Sequence, residues 1–155
     1  MSTSIATRLD ALGLKLPDAP APVANYVPFH IAGDLLFISG QISKAPDGSI
    51  VTGRLGDGLS IEAGQQAARY CALNILAQAK AALGDLDRIA QVLRLNGYVA
   101  STPDSGEQPQ VVNGASDLMV ALLGDAGRHT RVAVGVAALP ARCAVEIDAV
   151  IAIKR

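Results

Sequence analysis

Arg131 and Glu146 are the side chains best placed to do chemistry, because each interrupts a run of alternating apolar residues near the end of the chain. In Arg131-Val-Ala-Val-Gly-Val136, the valines alternate with Arg131, Ala133 and Gly135. In Ala144 to Lys154, Val145, Ile147, Ala149 and Ile151 alternate with Glu146, Asp148 and Val150. A period of two means strand, with one face of each strand in the core. If both strands share a sheet, the valines and isoleucines turn inward, and the other face carries a guanidinium and a carboxylate on a rigid support. That pair suits recognition of a small anion and handling of a water molecule.

Size and composition bound what else the chain does. Its 155 residues, 50% of them hydrophobic, suffice for one domain with a proper core and not for two. A net charge of −1 with scattered Lys and Arg gives no electrostatic attraction to a phosphate backbone, so nucleic acid is not expected as a partner. With 2 Phe, 3 Tyr and no Trp, few rings are available to stack on bases. No stretch has the ~18 uncharged apolar residues of a membrane span, and Met1–Asp10 lacks a basic cap before an apolar run, so a cytoplasmic protein is expected. Cys71 and Cys143 then read as small buried hydrophobes. His30 and His129 lack ligand-spaced partners, so no metal site is expected.

These residues must be positioned by elements that are legible in outline. Residues 1–25 read as an arm: a short amphipathic stretch from Ile5 to Leu14, then the Pro-rich run Pro17–Pro22, which cannot be helix interior and lies extended on the surface. Residues 26–155 form the single domain. Tyr26–Ile31 and Leu35–Ser39 flank Ala32-Gly-Asp34 as a β-hairpin, with Pro28 at an edge or irregularity of its first strand. A turn at Lys44–Ser49 and a Gly-rich loop lead to a helix between an N-cap at Ser60 and a C-terminal Gly84. Ile89–Ala100 reads as a strand and Ser101–Pro109 as a polar loop. From Val111 to Leu123 the apolar residues recur at helical spacing. The order β-β-α-β-α-β-β predicts an α+β two-layer domain, a mixed or antiparallel sheet of about five strands with two helices on one face.

The order of elements, together with Leu36-Phe-Ile-Ser-Gly-Gln41, Arg131-x-x-Val-x-Val-x-x-Leu-Pro140 and Val145-Glu-Ile147, resembles the reactive-intermediate (imine/enamine) deaminase family, also called RidA, YjgF or endoribonuclease L-PSP. The resemblance spans roughly residues 24–154. It implies a chorismate-mutase-like fold, a homotrimer with ligand clefts between neighbouring subunits, and cofactor-free hydrolysis of 2-aminoacrylate-type enamines and imines to 2-keto acids and ammonia. By position, Arg131 matches the family's carboxylate-binding arginine and Glu146 its proton-handling carboxylate. Tyr26 matches an aromatic residue beside the ligand, Ser39 and Gly40 the segment whose backbone approaches it, and Asn113 an asparagine near the site.

Each position also has a plainer structural reading. Arg131 can serve a surface or interface salt bridge, Glu146 can be a carboxylate satisfied by a subunit partner, Tyr26 can simply pack, Gly40 can mark a bend and Asn113 a local cap. The chain departs from the family at two places: Ala133 stands where many members have cysteine, and Ala24-Asn25 replaces the usual Gly-Pro before the tyrosine. Ala133 keeps a second function open, a non-catalytic trimer that binds a small carboxylate or keto acid as sensor or partner protein. The Pro-rich arm and the loop at 101–109 are expected to reshape the mouth of the cleft.

Overall fold

The computed structural model describes residues 3–22 and 24–155. The elements in chain order are α1 (Ile5–Ala11), β1 (Phe29–Ala32), β2 (Leu35–Ile42), β3 (Arg54–Leu55), β4 (Gly58–Leu59), α2 (Ile61–Leu83), β5 (Ile89–Ala100), α3 (Gln108–Leu123), β6 (Thr130–Val136) and β7 (Val145–Ile153). Five strands form one mixed sheet in the order β1-β2-β7-β5-β6, with β5 and β6 parallel and the other pairs antiparallel. α2 and α3 pack on one of its faces, which gives the α+β two-layer fold. The short β3 and β4 pair separately within the Gly-rich loop.

Helix boundaries follow local chemistry. Ser60 Oγ accepts from the Ala63 N–H at 3.1 Å, Glu62 complements the positive end of α2, and Gly84 ends it with φ of 79°. Between those caps, Ala67, Ala68, Cys71, Ile75, Leu76 and Ala79 are fully buried against the sheet, where Leu36, Leu95, Ile147 and Ile151 meet them at 0% exposure. α3 crosses α2 closely, since Gly64 faces Val111 and Gly114 faces the Gln65 backbone with no room for a Cβ at either. No helix among the described residues is long and apolar enough to cross a membrane.

The first hairpin strand begins at Phe29 rather than Tyr26, because Pro28 has no N–H to give to the ladder, and residues 24–26 form a bend. α1 is docked, not loose: Ile5 and Leu9 are 7% and 6% exposed within the core, and Arg8 Nη1 donates to Leu122 O at 2.9 Å.

One expectation fails on β6. Its valines do not face the core: Val132 and Val134 are 38% and 43% exposed on the face away from the helices, while Arg131, Ala133 and Gly135 face the helix layer. The register decides this, since Arg131 lies beside fully buried Leu95 and Val134 beside Tyr98 of β5. As an edge strand at the rim of the helix layer, β6 has small residues where α3 and its preceding loop come close. A Cβ on Gly135 would lie 2.7 Å from Gln108 Nε2.

Candidate functional site

Glu146 sits on β7 on the open face of the sheet, with Asp148 two residues along the same face. Its neighbour β2 bulges where Ser39 and Gly40 are squeezed between the pairs Ile38↔Ala149 and Gln41↔Ile147. The Glu146 side chain lies in that bulge, so close that a Cβ on Gly40 would come within 2.8 Å of Oε1. Here glycine lets the carboxylate lie against the β2 backbone, and a larger residue would push the Glu146 side chain aside. Burial first, and the charge of Asp148 second, push the Glu146 carboxyl above its ordinary range.

A cleft of about 540 Å³ opens beside this carboxyl, and Tyr26, Gly40 and Glu146 all line it. Its floor is made of Gln41, Asn74 and Gln78, which are 6%, 2% and 1% exposed. Asn74 donates to Ile42 O and Lys44 O, at 3.2 and 3.1 Å, and Gln78 donates to Pro20 O at 2.7 Å. Pro20, Ala21, Pro22 and Pro28 supply one wall and Ile42, Ile50, Pro140 and Ala141 another, while exposed Lys44 stands at the rim. Ala141 and Arg142 both have left-handed backbones, φ of 54° and 57°, a strained pair at the edge of the cleft. Ser39 fastens the entrance: its Oγ donates to Val27 O at 2.7 Å and its N–H to Pro28 O at 3.0 Å.

Arg131 lies elsewhere. Two strand spacings of ~4.8 Å and three residues of ~3.3 Å separate it from Glu146, roughly 14 Å between Cα atoms, and the side chains leave the sheet on opposite faces. The expectation of one shared polar face is therefore corrected. The Arg131 guanidinium is held by α3: Nη1 donates to Asn113 Oδ1 at 2.9 Å and Ser116 Oγ at 3.0 Å, and Nη2 donates to Pro109 O at 3.2 Å. Ser116 Oγ is also 2.8 Å from His129 Nε2, and His129 Nδ1 is 2.7 Å from Gly127 O. An Nδ1–H tautomer satisfies this chain completely, with Ser116 donating to the ring. Among the described residues three of the five guanidinium N–H groups are thus committed, which leaves Nε–H and one Nη2–H for another acceptor. Asn113 neither caps a helix nor lies near the Glu146 cleft; it aims Arg131.

The structure gathers Tyr26, Ser39, Gly40 and Glu146 on one side, and Arg131 with Asn113 on the other. Sequence reasoning missed Gln41, Asn74 and Gln78. The one available signal was three amides on otherwise apolar faces of β2 and α2. Neither cysteine joins the site: both are buried, and burial pushes their thiols up, Cys71 furthest.

Comparison with known proteins agrees with this architecture. The family model described as "YjgF/chorismate_mutase-like, putative endoribonuclease" matches residues 6–150. Protein TCP17 of Trypanosoma cruzi is 50% identical over 151 residues, covering 97% of this chain and 94% of that one. The crystal structure of Atu1372 from Agrobacterium tumefaciens, of unknown function, is 50% identical and superposes with a TM-score of 0.90 over 97% of this chain and 94% of its own. RidA from the Antarctic bacterium Psychrobacter sp. PAMC 21119 is 28% identical, with a TM-score of 0.63 over 88% of this chain and 94% of its own. A sheet bulged around a glutamate, an arginine set on the parallel edge strand and a family match across nearly the whole length lead to one conclusion: this chain belongs to the RidA/YjgF family.

Proposed function

We propose that this protein hydrolyses small 2-enamine and 2-imine carboxylates of the 2-aminoacrylate type to 2-keto acids and ammonia, as a cofactor-free cytoplasmic homotrimer. In this reading Arg131 of one protomer faces Glu146, Tyr26 and the Ser39-Gly40 bulge of its neighbour. The unmatched Nε–H and Nη2–H grip the substrate carboxylate. The observation that carries the reading is Glu146, a half-buried carboxyl raised above its usual range, open to a cleft and, among the described residues, without a cation partner. Such a group takes a proton and gives it back more readily than an ordinary surface carboxylate does.

The chemistry balances with that group alone. The enamine first tautomerises as the Glu146 carboxylate takes a proton from nitrogen and gives it to the terminal carbon. Water then adds to the C=N carbon as its proton passes to Glu146, which returns it to nitrogen. Glu146 then takes the carbinolamine's hydroxyl proton as the C=O forms and delivers it to nitrogen as the C–N bond breaks, so that ammonia leaves. The open sheet face supports assembly, because Phe37, Val132 and Val134 are exposed there beside an ordered polar network.

The test is a dehydratase-coupled assay that follows keto-acid appearance. Arg131→Ala and Glu146→Gln are each expected to abolish acceleration, and a mixture of the two refolded together to recover part of it. A mixed trimer has one cleft in which an intact arginine meets an intact glutamate. No recovery would mean that the cleft is not shared between protomers. Ala133 in the cysteine position favours a second reading, a non-catalytic trimer that binds keto acids, and acid binding by the wild type without acceleration would establish it.

A further inference from the structure

On the single chain the cleft beside Glu146 is larger than a three-carbon imine and an incoming guanidinium would fill. Its volume of about 540 Å³ falls among clefts that enclose drug-sized ligands, ~300–1,000 Å³. Its outer wall, Pro20-Ala-Pro22, comes from the N-terminal arm and plays no part in adding water. We infer that this segment is a specificity wall selecting 2-imino acids with a bulky apolar side chain, and that Gln78 is the positioning residue that holds it. The inference rests on the proposed function for the acid end of the substrate, and on this chain alone for the wall.

Proline at 20 and 22 fixes the segment as extended and denies it ladder hydrogen bonds, so it needs an anchor from outside. Gln78, 1% exposed on α2, supplies one by donating from Nε2 to Pro20 O at 2.7 Å. The same Nε2 lies 3.5 Å from Gln41 Oε1, and Gln41 donates to Ser39 O at 2.9 Å. One run of amides therefore ties the arm to the bulge that cradles Glu146. Buried amides are costly unless satisfied, and once satisfied they fix a geometry. The space so fixed is lined by Ile42, Ile50 and Pro140 as well as by the arm, above its floor of amides.

Titration calorimetry with pyruvate and with 4-methyl-2-oxopentanoate tests this without requiring turnover. The wild type is expected to bind the larger acid at least about tenfold more tightly, a modest return for several extra buried carbons. Gln78→Leu should cut that preference to under about threefold and speed tryptic cleavage after exposed Lys15, while melting remains cooperative. Ala21→Trp fills the space from outside the core and should weaken the larger acid more than pyruvate, which keeps the test decisive if Gln78→Leu fails to fold. Equal wild-type affinities, or a preference that survives both variants, would overturn the wall. A size preference without imine hydrolysis would sink the deaminase reading and leave the wall standing; hydrolysis without size preference would do the reverse. If neither acid binds, the wall falls, and the coupled assay alone decides the deaminase reading.

Discussion

The helix-covered face of the sheet and its open face differ in how far one chain satisfies them. Beneath the helices, Leu36, Val92, Leu95, Ile147 and Ile151 are completely buried. On the open face Phe37 and Val134 are each 43% exposed. They lie beside a polar network in which Arg94 Nε donates to Asn96 Oδ1 at 3.0 Å, and Asn96 Nδ2 and Tyr98 Oη donate to Asp148 at 2.7 and 3.4 Å. The covered face is complete as a core. The open face is ordered but unfinished, and it carries Glu146, whereas its proposed partner Arg131 leaves the opposite face at the rim. The proposed chemistry therefore draws on both faces, while the core needs only the covered one.

The contrast breaks most sharply at Val134. Val134→Asp is expected to convert the proposed trimer into folded monomers, read as a threefold fall in mass by light scattering, because an unpaired charge buried in the proposed interface would be costly. A trimer that persists would remove the open face from assembly. On the covered face, Leu76→Ala should cost about 2–5 kcal/mol in denaturant unfolding, since it leaves a cavity in a fully packed layer. A much smaller loss would mean that this layer is looser than its burial indicates.

Arg131→Lys sharpens the functional half of the comparison. Lysine keeps the charge and loses the fork, so KM should rise by about tenfold, the equivalent of a charge-assisted hydrogen bond of ~1.5 kcal/mol, with less change in kcat. The smallest effect concerns Glu146. Because its carboxyl is raised in the fold, its contribution to stability is full below the ordinary glutamate range and is lost as pH rises through the folded value. Glu146→Gln should therefore melt progressively higher relative to wild type as pH rises through that window, and a pH-independent difference would contradict the raised carboxyl.

Much of the fold was legible because its signals are local. Ser60 and Gly84 bound α2 by capping chemistry, and the alternation of Val145 to Ile153 places Glu146 and Asp148 opposite the core, as observed. β6 misled because valine, alanine and glycine alternate there without saying which side is covered. At a sheet edge the register against β5 and the reach of α3 decide, and neither is written in the strand itself. The candidate site was half legible: Tyr26, Gly40 and Glu146 line one cleft with Ser39 in the adjoining bulge, while Asn113 aims Arg131. The floor was hidden because Gln78 meets Pro20 across 58 residues, a contact that no local periodicity encodes.

By itself, then, the sequence determined the main helices and strands, the caps of α2 and the candidate side chains, because those depend on neighbours within a few residues. Only the tertiary structure decided that Arg131 and Glu146 point away from each other, that a proline arm walls the cleft and that one face of the sheet is left bare. Facing, enclosure and exposure are set by which distant segments pack together.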